Sequence, residues 1–225
     1  MKKHLKRIAT PKSWPLERKM AKFVIRPKSS HKNELCLPLG VILRDILGYA
    51  KTTTESKKIL NNENVLVDGK RRKDLYFGVG LMDVLQIQKT NENYRVLLDN
   101  KGKLAIIKED NPNIKPCKVI GKRILKNGRI QLNLHDGRNL LTKDKVNVGD
   151  TIVLQLPEQK LSEYLNLEKG ALVYLTGGKH IGETGQVEEI KSNTIAVKIG
   201  SEVFETASKL AFVIGKQKPV INIEK

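Results

Sequence analysis

Val65-Leu66-Val67-Asp68-Gly69-Lys70-Arg71-Arg72 is the stretch on which the fold turns. Apolar residues alternate into Asp-Gly, the pair that supplies the two positive-φ positions of a tight β-hairpin. Four cations follow without a break, Lys70, Arg71, Arg72 and Lys73. Both faces of the returning strand are therefore basic near the turn. Lysines that guard a sheet edge against aggregation explain one or two such charges, not four in a row. A phosphate backbone explains all of them.

Upstream, Pro38 stands at a helix N1 position, and Leu39, Ile42, Leu43, Ile46 and Leu47 repeat at helical spacing. Gly48 is the expected C-cap. Thr52-Thr53-Thr54-Glu55 is a capping box that opens a second helix, which runs through Lys57, Lys58, Ile59 and Leu60 to Asn61-Asn62. A strand at Val84–Ile87 completes a helix–helix–hairpin unit. The second helix should present free N–H groups to a phosphate, with Lys51 just before it and Lys57-Lys58 one turn on. Arg44, Lys51, Thr52, Thr53, Lys57, Lys58, Asp68, Gly69, Lys70, Arg71 and Arg72 form the candidate RNA-binding set of this unit. The run Leu39–Ile87 resembles the S-four type RNA-binding fold of ribosomal proteins, pseudouridine synthases and tyrosyl-tRNA synthetases. Lys51-Thr52-Thr53 and Val65–Lys70 carry that resemblance.

The rest of the charge lies mainly at the start. The chain has 225 residues and a net charge of +18, and residues 1–37 hold 11 basic and 2 acidic side chains, half of that excess. Pro11, Pro15 and Pro27 break any long helix there. Like charge at this density should not collapse alone, so an extended arm that becomes ordered on a polyanion is expected. Lys2, Lys3, His4, Lys6, Arg7, Lys12, Arg18 and Lys19 are its candidate RNA contacts, and Trp14, the single Trp, could stack on a base or wedge into a protein groove. A solvated tail or a localisation signal is the bland alternative. The interspersed Leu5, Ile8, Leu16, Met20 and Phe23 argue against it, and they form no amphipathic stripe that would suit a membrane.

Composition removes other classes. No apolar run approaches the roughly 18–20 residues of a membrane span, and no apolar stretch of a secretory signal follows the basic start. Cys36 and Cys117 alone make neither a disulfide scaffold nor a zinc pattern, so a soluble intracellular protein with no metal and no cofactor is expected. With 39% hydrophobic and 4% aromatic residues, a few small cores suit the chain better than one large core.

Residues 101–169 carry turn signals at Asp99–Gly102, Lys126-Asn127-Gly128, Asp136-Gly137 and Val148-Gly149-Asp150. The β-type runs Leu104–Ile107, Lys118–Leu125, Arg129–Leu134 and Thr151–Leu156 lie between them and read as a small antiparallel barrel or sandwich. Lys118, Lys122, Arg123, Lys126, Arg129 and Arg138 offer a second RNA contact or a solvated face. His135-Asp136 has no nucleophile or metal partner beside it in sequence, so a turn is its expected role. Residues 170–206 alternate through Gly170–Leu175, enter the loop Thr176–Gly185, and resume as strands at Gln186–Ile190 and Ile195–Ile199. This resembles a KOW motif, the core of an SH3-like barrel, and Gly177, Gly178, Gly182 and Gly185 read as positive-φ turn positions. Gly177, Gly178, Lys179 and His180 complete the candidate RNA-binding set. The loop is not a nucleotide-binding P-loop, because the spacing differs and no Ser or Thr follows Lys179.

The expected architecture is therefore α+β and multidomain. A basic arm (1–37) precedes an S-four-type module (38–100). Two small β-barrel-like domains follow (101–169 and 170–206), the second SH3-like, with a strand and tail at 207–225. That order is similar to the archaeal and eukaryotic S-four-e family of the small ribosomal subunit. The motifs that carry the match include Pro11-Lys12-Ser13-Trp14, His31-Lys32, Cys36–Leu39, Val67–Lys70, Gly80–Val84, Thr176–Gly178 and Phe212–Lys216. The resemblance implies a non-catalytic constituent of cytoplasmic ribosomes, of archaeal type. Its expected partners are small-subunit ribosomal RNA and neighbouring small-subunit proteins, with no membrane and no small-molecule substrate. The competing classes are an RNA-modifying enzyme and a KOW-type transcription or translation factor. The enzyme needs a catalytic cluster that His4, His31, His135 and His180, scattered as they are, do not form.

Overall fold

The computed structural model describes residues 4–62 and 65–223. The chain is mostly β and divides into two compact units, one of residues 1–98 and 103–113, the other of 99–102 and 114–225.

The first unit opens with the short antiparallel pair β1 (Leu5–Lys6) and β2 (Phe23–Val24). β3 (Cys36–Pro38) leads into α1 (Leu39–Val41), which widens into a π-helical turn over Ile42–Ile46. Gly48, at φ +71°, ends it as the sequence indicates. α2 (Thr53–Asn62) follows. The β4 (Val65–Val67)–β5 (Lys70–Arg71) hairpin turns through Asp68 and Gly69, both at positive φ, 51° and 72°. β6 (Gly78–Gly80) pairs with β3. A five-stranded antiparallel sheet then runs β5-β4-β7-β8-β9, with β7 Val84–Ile87, β8 Glu92–Leu98 and β9 Leu104–Lys108. The boundary expected at residue 100 thus falls inside a sheet: Leu104–Lys108 pairs with β8, because its apolar face fits that sheet's core rather than opening the next domain.

Two further expectations for the arm change. Trp14 is 3% exposed, and its indole N–H donates to the Asn33 carbonyl at 3.0 Å. Arg7 is also 3% exposed; Nε donates to the Glu17 carbonyl at 2.6 Å and Nη2 lies 3.2 Å from Asp45 Oδ1. Residues 4–37 are folded onto the unit rather than extended, since Trp14 and Val24 supply apolar surface to bury and Asp45 neutralises the arginine.

The second unit contains two five-stranded antiparallel sheets. One runs β12-β11-β10-β13-β14, from β10 (Ile114–Ile124), β11 (Ile130–Leu134), β12 (Asn139–Thr142), β13 (Thr151–Gln155) and β14 (Lys160–Leu165). The other runs β18-β17-β16-β15-β19, from β15 (Leu172–Leu175), β16 (Thr184–Ile190), β17 (Thr194–Ile199), β18 (Glu202–Ala207) and β19 (Ala211–Gly215). Val153 and Leu165 of the first sheet share a core with Val173, Val187, Ile195, Val197 and Val213 of the second. The boundary expected at 169 therefore crosses a common core, and the one expected at 206 separates β19 from the sheet it completes.

Candidate nucleic-acid interface

α2 and the β4–β5 hairpin meet at one contact: Arg71 Nη2 donates to the Asn61 carbonyl at 2.8 Å. Asn61 lies one turn beyond Lys57 on the same helix face. Lys57, Lys58, Lys70, Arg71 and Lys73 are all exposed, on the edge of the sheet and on the helix beside it. β5 is the edge strand, which leaves it open on one side.

The same surface shows which expected contacts serve the fold instead. Asp68 is buried; its Oδ1 accepts from the Val84 amide at 3.0 Å and its amide donates to the Val84 carbonyl at 2.9 Å. With Gly69 it sets the turn, and its carboxylate is used up there. Arg44 bonds Asp45 through Nε and Nη2 at 3.1 and 2.8 Å and Thr53 Oγ1 through Nη1 at 2.9 Å. Asp45 thus bridges Arg44 and Arg7. The α2 start is partly occupied too. Thr52 Oγ1 accepts from the Glu55 amide at 3.2 Å, while the Glu55 carboxylate accepts from the Lys51 amide at 2.8 Å. That backbone bond from Lys51 chiefly holds the Glu55 carboxyl below its usual range. A carboxylate therefore already sits beside this helix start, and the free N–H cradle read from the capping box is reduced by the box's own glutamate. Lys51 itself is exposed. Arg72 is half-buried, with its guanidinium 4.3 Å from the Phe77 ring centroid.

In the arm, His4, Lys6, Lys12, Arg18 and Lys19 are exposed; Arg18 Nη2 donates to the Thr10 carbonyl at 3.3 Å. The burial of Trp14 removes the stacking ring the sequence pointed to. Lys2 and Lys3 lie outside the described residues.

In the second unit the loop after β15 keeps Gly178 and Lys179 exposed. His180 is less available, since Nδ1 is 2.9 Å from Glu183 Oε2 and its ring lies 3.9 Å from that of Phe204. Of the four glycines read as positive-φ positions, Gly178 and Gly182 adopt it, at 89° and 81°. Gly177 and Gly185 are needed for space instead: a Cβ on Gly185 would come within 2.5 Å of Val197 Cγ1, and one on Gly177 within 2.9 Å of Leu210 Cδ2. Lys118, read as surface charge, is buried, and its ammonium is capped by the carbonyls of Ser208, Lys209 and Ala211. Burial pulls its pKa down to about 8. Asp136 sits in the expected turn, where its Oδ1 accepts from the Arg138 amide at 3.0 Å. Burial pushes its carboxyl up, but Lys115 Nζ at 3.0 Å, with His135 and Arg138, holds it below the usual range.

Sequence reasoning missed His31 and Asp83. His31 Nε2 is 3.1 Å from Asp83 Oδ2, which also accepts from the Gly80 amide at 2.7 Å, and both side chains are buried. A Cβ on Gly80 would lie 2.3 Å from the His31 ring. The 52-residue separation gives no local signal of this pair. Among the described residues no group of His, Cys, Asp and Glu is placed to hold a metal ion, and no helix is long and apolar enough to cross a membrane. Cys36 is buried, and burial pushes its thiol up to about 11.

A model of the ribosomal family S4e matches residues 90–161, and one of the RS4NT domain matches residues 1–31. The small ribosomal subunit protein eS4 of Methanocaldococcus jannaschii is 42% identical, covering 99% of this chain and 98% of its own. That of Methanosphaera stadtmanae is 44% identical, covering 99% and 96%. A crystal structure of the 30S ribosomal protein S4e from Thermoplasma acidophilum is similar at TM-score 0.72 and 36% identity, covering 81% of this chain and 96% of that one. These relatives define a class of ribosomal proteins without catalytic activity. The chain belongs to the S4e family of the small ribosomal subunit.

Proposed function

We propose that this protein is a structural constituent of the small ribosomal subunit, embedded in its RNA, and so resides on cytoplasmic ribosomes. The observation that carries the reading is the exposure of Lys57, Lys58, Lys70, Arg71 and Lys73 on α2 and the edge hairpin, which the Arg71–Asn61 bond joins. Within it, residues 36–108 act as an S-four-type RNA-binding module, with Lys51 and the exposed arm cations His4, Lys6, Lys12, Arg18 and Lys19 extending the contact. The sheet β15–β19 acts as a KOW-type, SH3-like element whose Gly178 and Lys179 face RNA or a neighbouring subunit protein. Family membership disfavours an RNA-modifying enzyme. Fixed backbone-matching charge suits stable burial in RNA better than the transient docking of a factor.

Filter binding of small-subunit ribosomal RNA across a salt series tests this. If the five exposed cations each neutralise one phosphate, log K falls with log salt at a slope between about −3.5 and −4.5. A slope near zero overturns the mechanism.

A further inference from the structure

With Trp14 buried, the base-stacking surface must lie elsewhere. Only two aromatic side chains are among the strongly exposed large hydrophobics of the described residues, Phe23 and Tyr76. Tyr76, at 46% exposure, lies in the connection that leaves β5, four positions after Arg72.

Its backbone is held from several directions. The Leu39 amide donates to the Phe77 carbonyl at 2.8 Å, and the Gly40 amide donates to the Leu75 carbonyl at 3.0 Å. Tyr76 is thus flanked by two residues pinned to α1. Its own carbonyl accepts from the Lys28 amide at 2.7 Å, and its amide donates to Asp74 Oδ1 at 3.0 Å. A connection fixed in this way displays an aromatic ring in water, where burying it would be favourable. Three cations and one carboxylate lie around it. The Lys28 ammonium is 5.0 Å from the ring centroid and 3.7 Å from Asp74 Oδ2, Lys73 is exposed in the same connection, and Arg72 stacks on the adjacent Phe77. Arg72 Nε is buried with no acceptor among the described residues. A pre-placed ring, the half-buried Arg72 guanidinium and two lysines match what an unpaired nucleotide offers: a π-face and a phosphate.

We propose that Tyr76 is a stacking platform for one unpaired base of the bound RNA, with Lys28, Arg72 and Lys73 on the flanking phosphates. This rests on the RNA-binding reading above. The ring supplies salt-insensitive stacking, whereas the cations supply the salt-dependent part.

The test compares wild type, Tyr76→Leu, Tyr76→Phe and Lys28→Gln in filter binding to a small-subunit rRNA transcript at several salt concentrations. Near-UV circular dichroism and thermal melting check that each variant folds. Tyr76→Leu should weaken binding roughly 5- to 150-fold at every salt concentration while keeping the wild-type slope. Tyr76→Phe, which keeps the ring, should bind like wild type, and Lys28→Gln should flatten the slope. A folded Tyr76→Leu variant with wild-type affinity overturns the proposal but leaves the RNA-binding reading standing. The same holds if that variant binds the transcript normally yet fails to enter subunits, which would give the ring to a protein neighbour. A Tyr76→Phe variant as weak as Tyr76→Leu also overturns it. Failure of wild type to bind the transcript overturns both readings.

Discussion

The arm of residues 4–37 and the β4–β5 hairpin carry similar runs of Lys and Arg, yet the fold treats them differently. In the arm, Arg7 is buried against Asp45 and the Glu17 carbonyl, and Trp14 is buried with its N–H on Asn33. In the hairpin, Lys70, Arg71 and Lys73 stay in solvent on an edge strand. The difference comes from available partners. Asp45 lies within reach of Arg7, and a desolvated guanidinium with a carboxylate and a carbonyl is tolerable. The hairpin turn spends the carboxylate of Asp68 on the Val84 amide, and the nearby Asp74 pairs with Lys28 at 3.7 Å rather than with the hairpin cations. Counting charge therefore overstates the number of cations open to a ligand, and local acid and apolar partners correct the count.

That contrast can be broken experimentally, and the largest effects should come from the buried side. Trp14→Ala should lower unfolding free energy by about 3–5 kcal/mol in denaturant titrations, through the cavity and the lost indole bond. Removing Glu109 from the buried Arg95–Glu109 pair should cost about 3–5 kcal/mol, because the carboxylate that accepts from Arg95 Nε is lost in a desolvated site. Neither loss should flatten the salt slope of RNA binding while the protein stays folded. Asp45→Asn, which weakens the hold on Arg7 and Arg44 together, should cost about 1–3 kcal/mol in the same titration. The exposed side should behave in the opposite way. Changing Lys70, Arg71 and Lys73 together to Ala should alter stability by less than about 0.5 kcal/mol per site. The salt slope should flatten by about 2–3 units.

A separate effect is a pH signature of a buried cation. In the folded state burial depresses the Lys118 pKa to about 8, below the ordinary lysine value of 10.5. Between those values the unfolded chain binds more protons, so this group makes stability rise as pH increases from about 8 to 10.5. Below pH 8 both states hold the proton and the burial penalty is fully present. Comparing melting curves of wild type and Lys118→Met across that range should show wild type gaining stability relative to the variant as pH rises.

Much of this was legible in the sequence because its signals are local. Asp68-Gly69 set the hairpin, Gly48 the helix end and Thr52–Glu55 the start of α2, each through backbone chemistry within a few residues. What was not legible is long-range. The β8–β9 pairing, the shared core of Val153 with Val173 and the His31–Asp83 pair depend on residues brought together only by the tertiary fold. The candidate site divides along the same line. Lys57, Lys58, Lys70 and Arg71 remain exposed as their positions suggest, whereas Arg7, Trp14 and Asp68 were claimed by partners distant in sequence, and Arg44 by its neighbour Asp45 together with Thr53.

Lysine and arginine reactivity, mapped on the free protein and on intact small subunits, tests the central claim most directly. The account predicts that Lys57, Lys58, Lys70, Arg71 and Lys73 react in the free protein, become protected in the subunit, and cross-link there to ribosomal RNA. Equal reactivity of the hairpin and α2 in both states would contradict it.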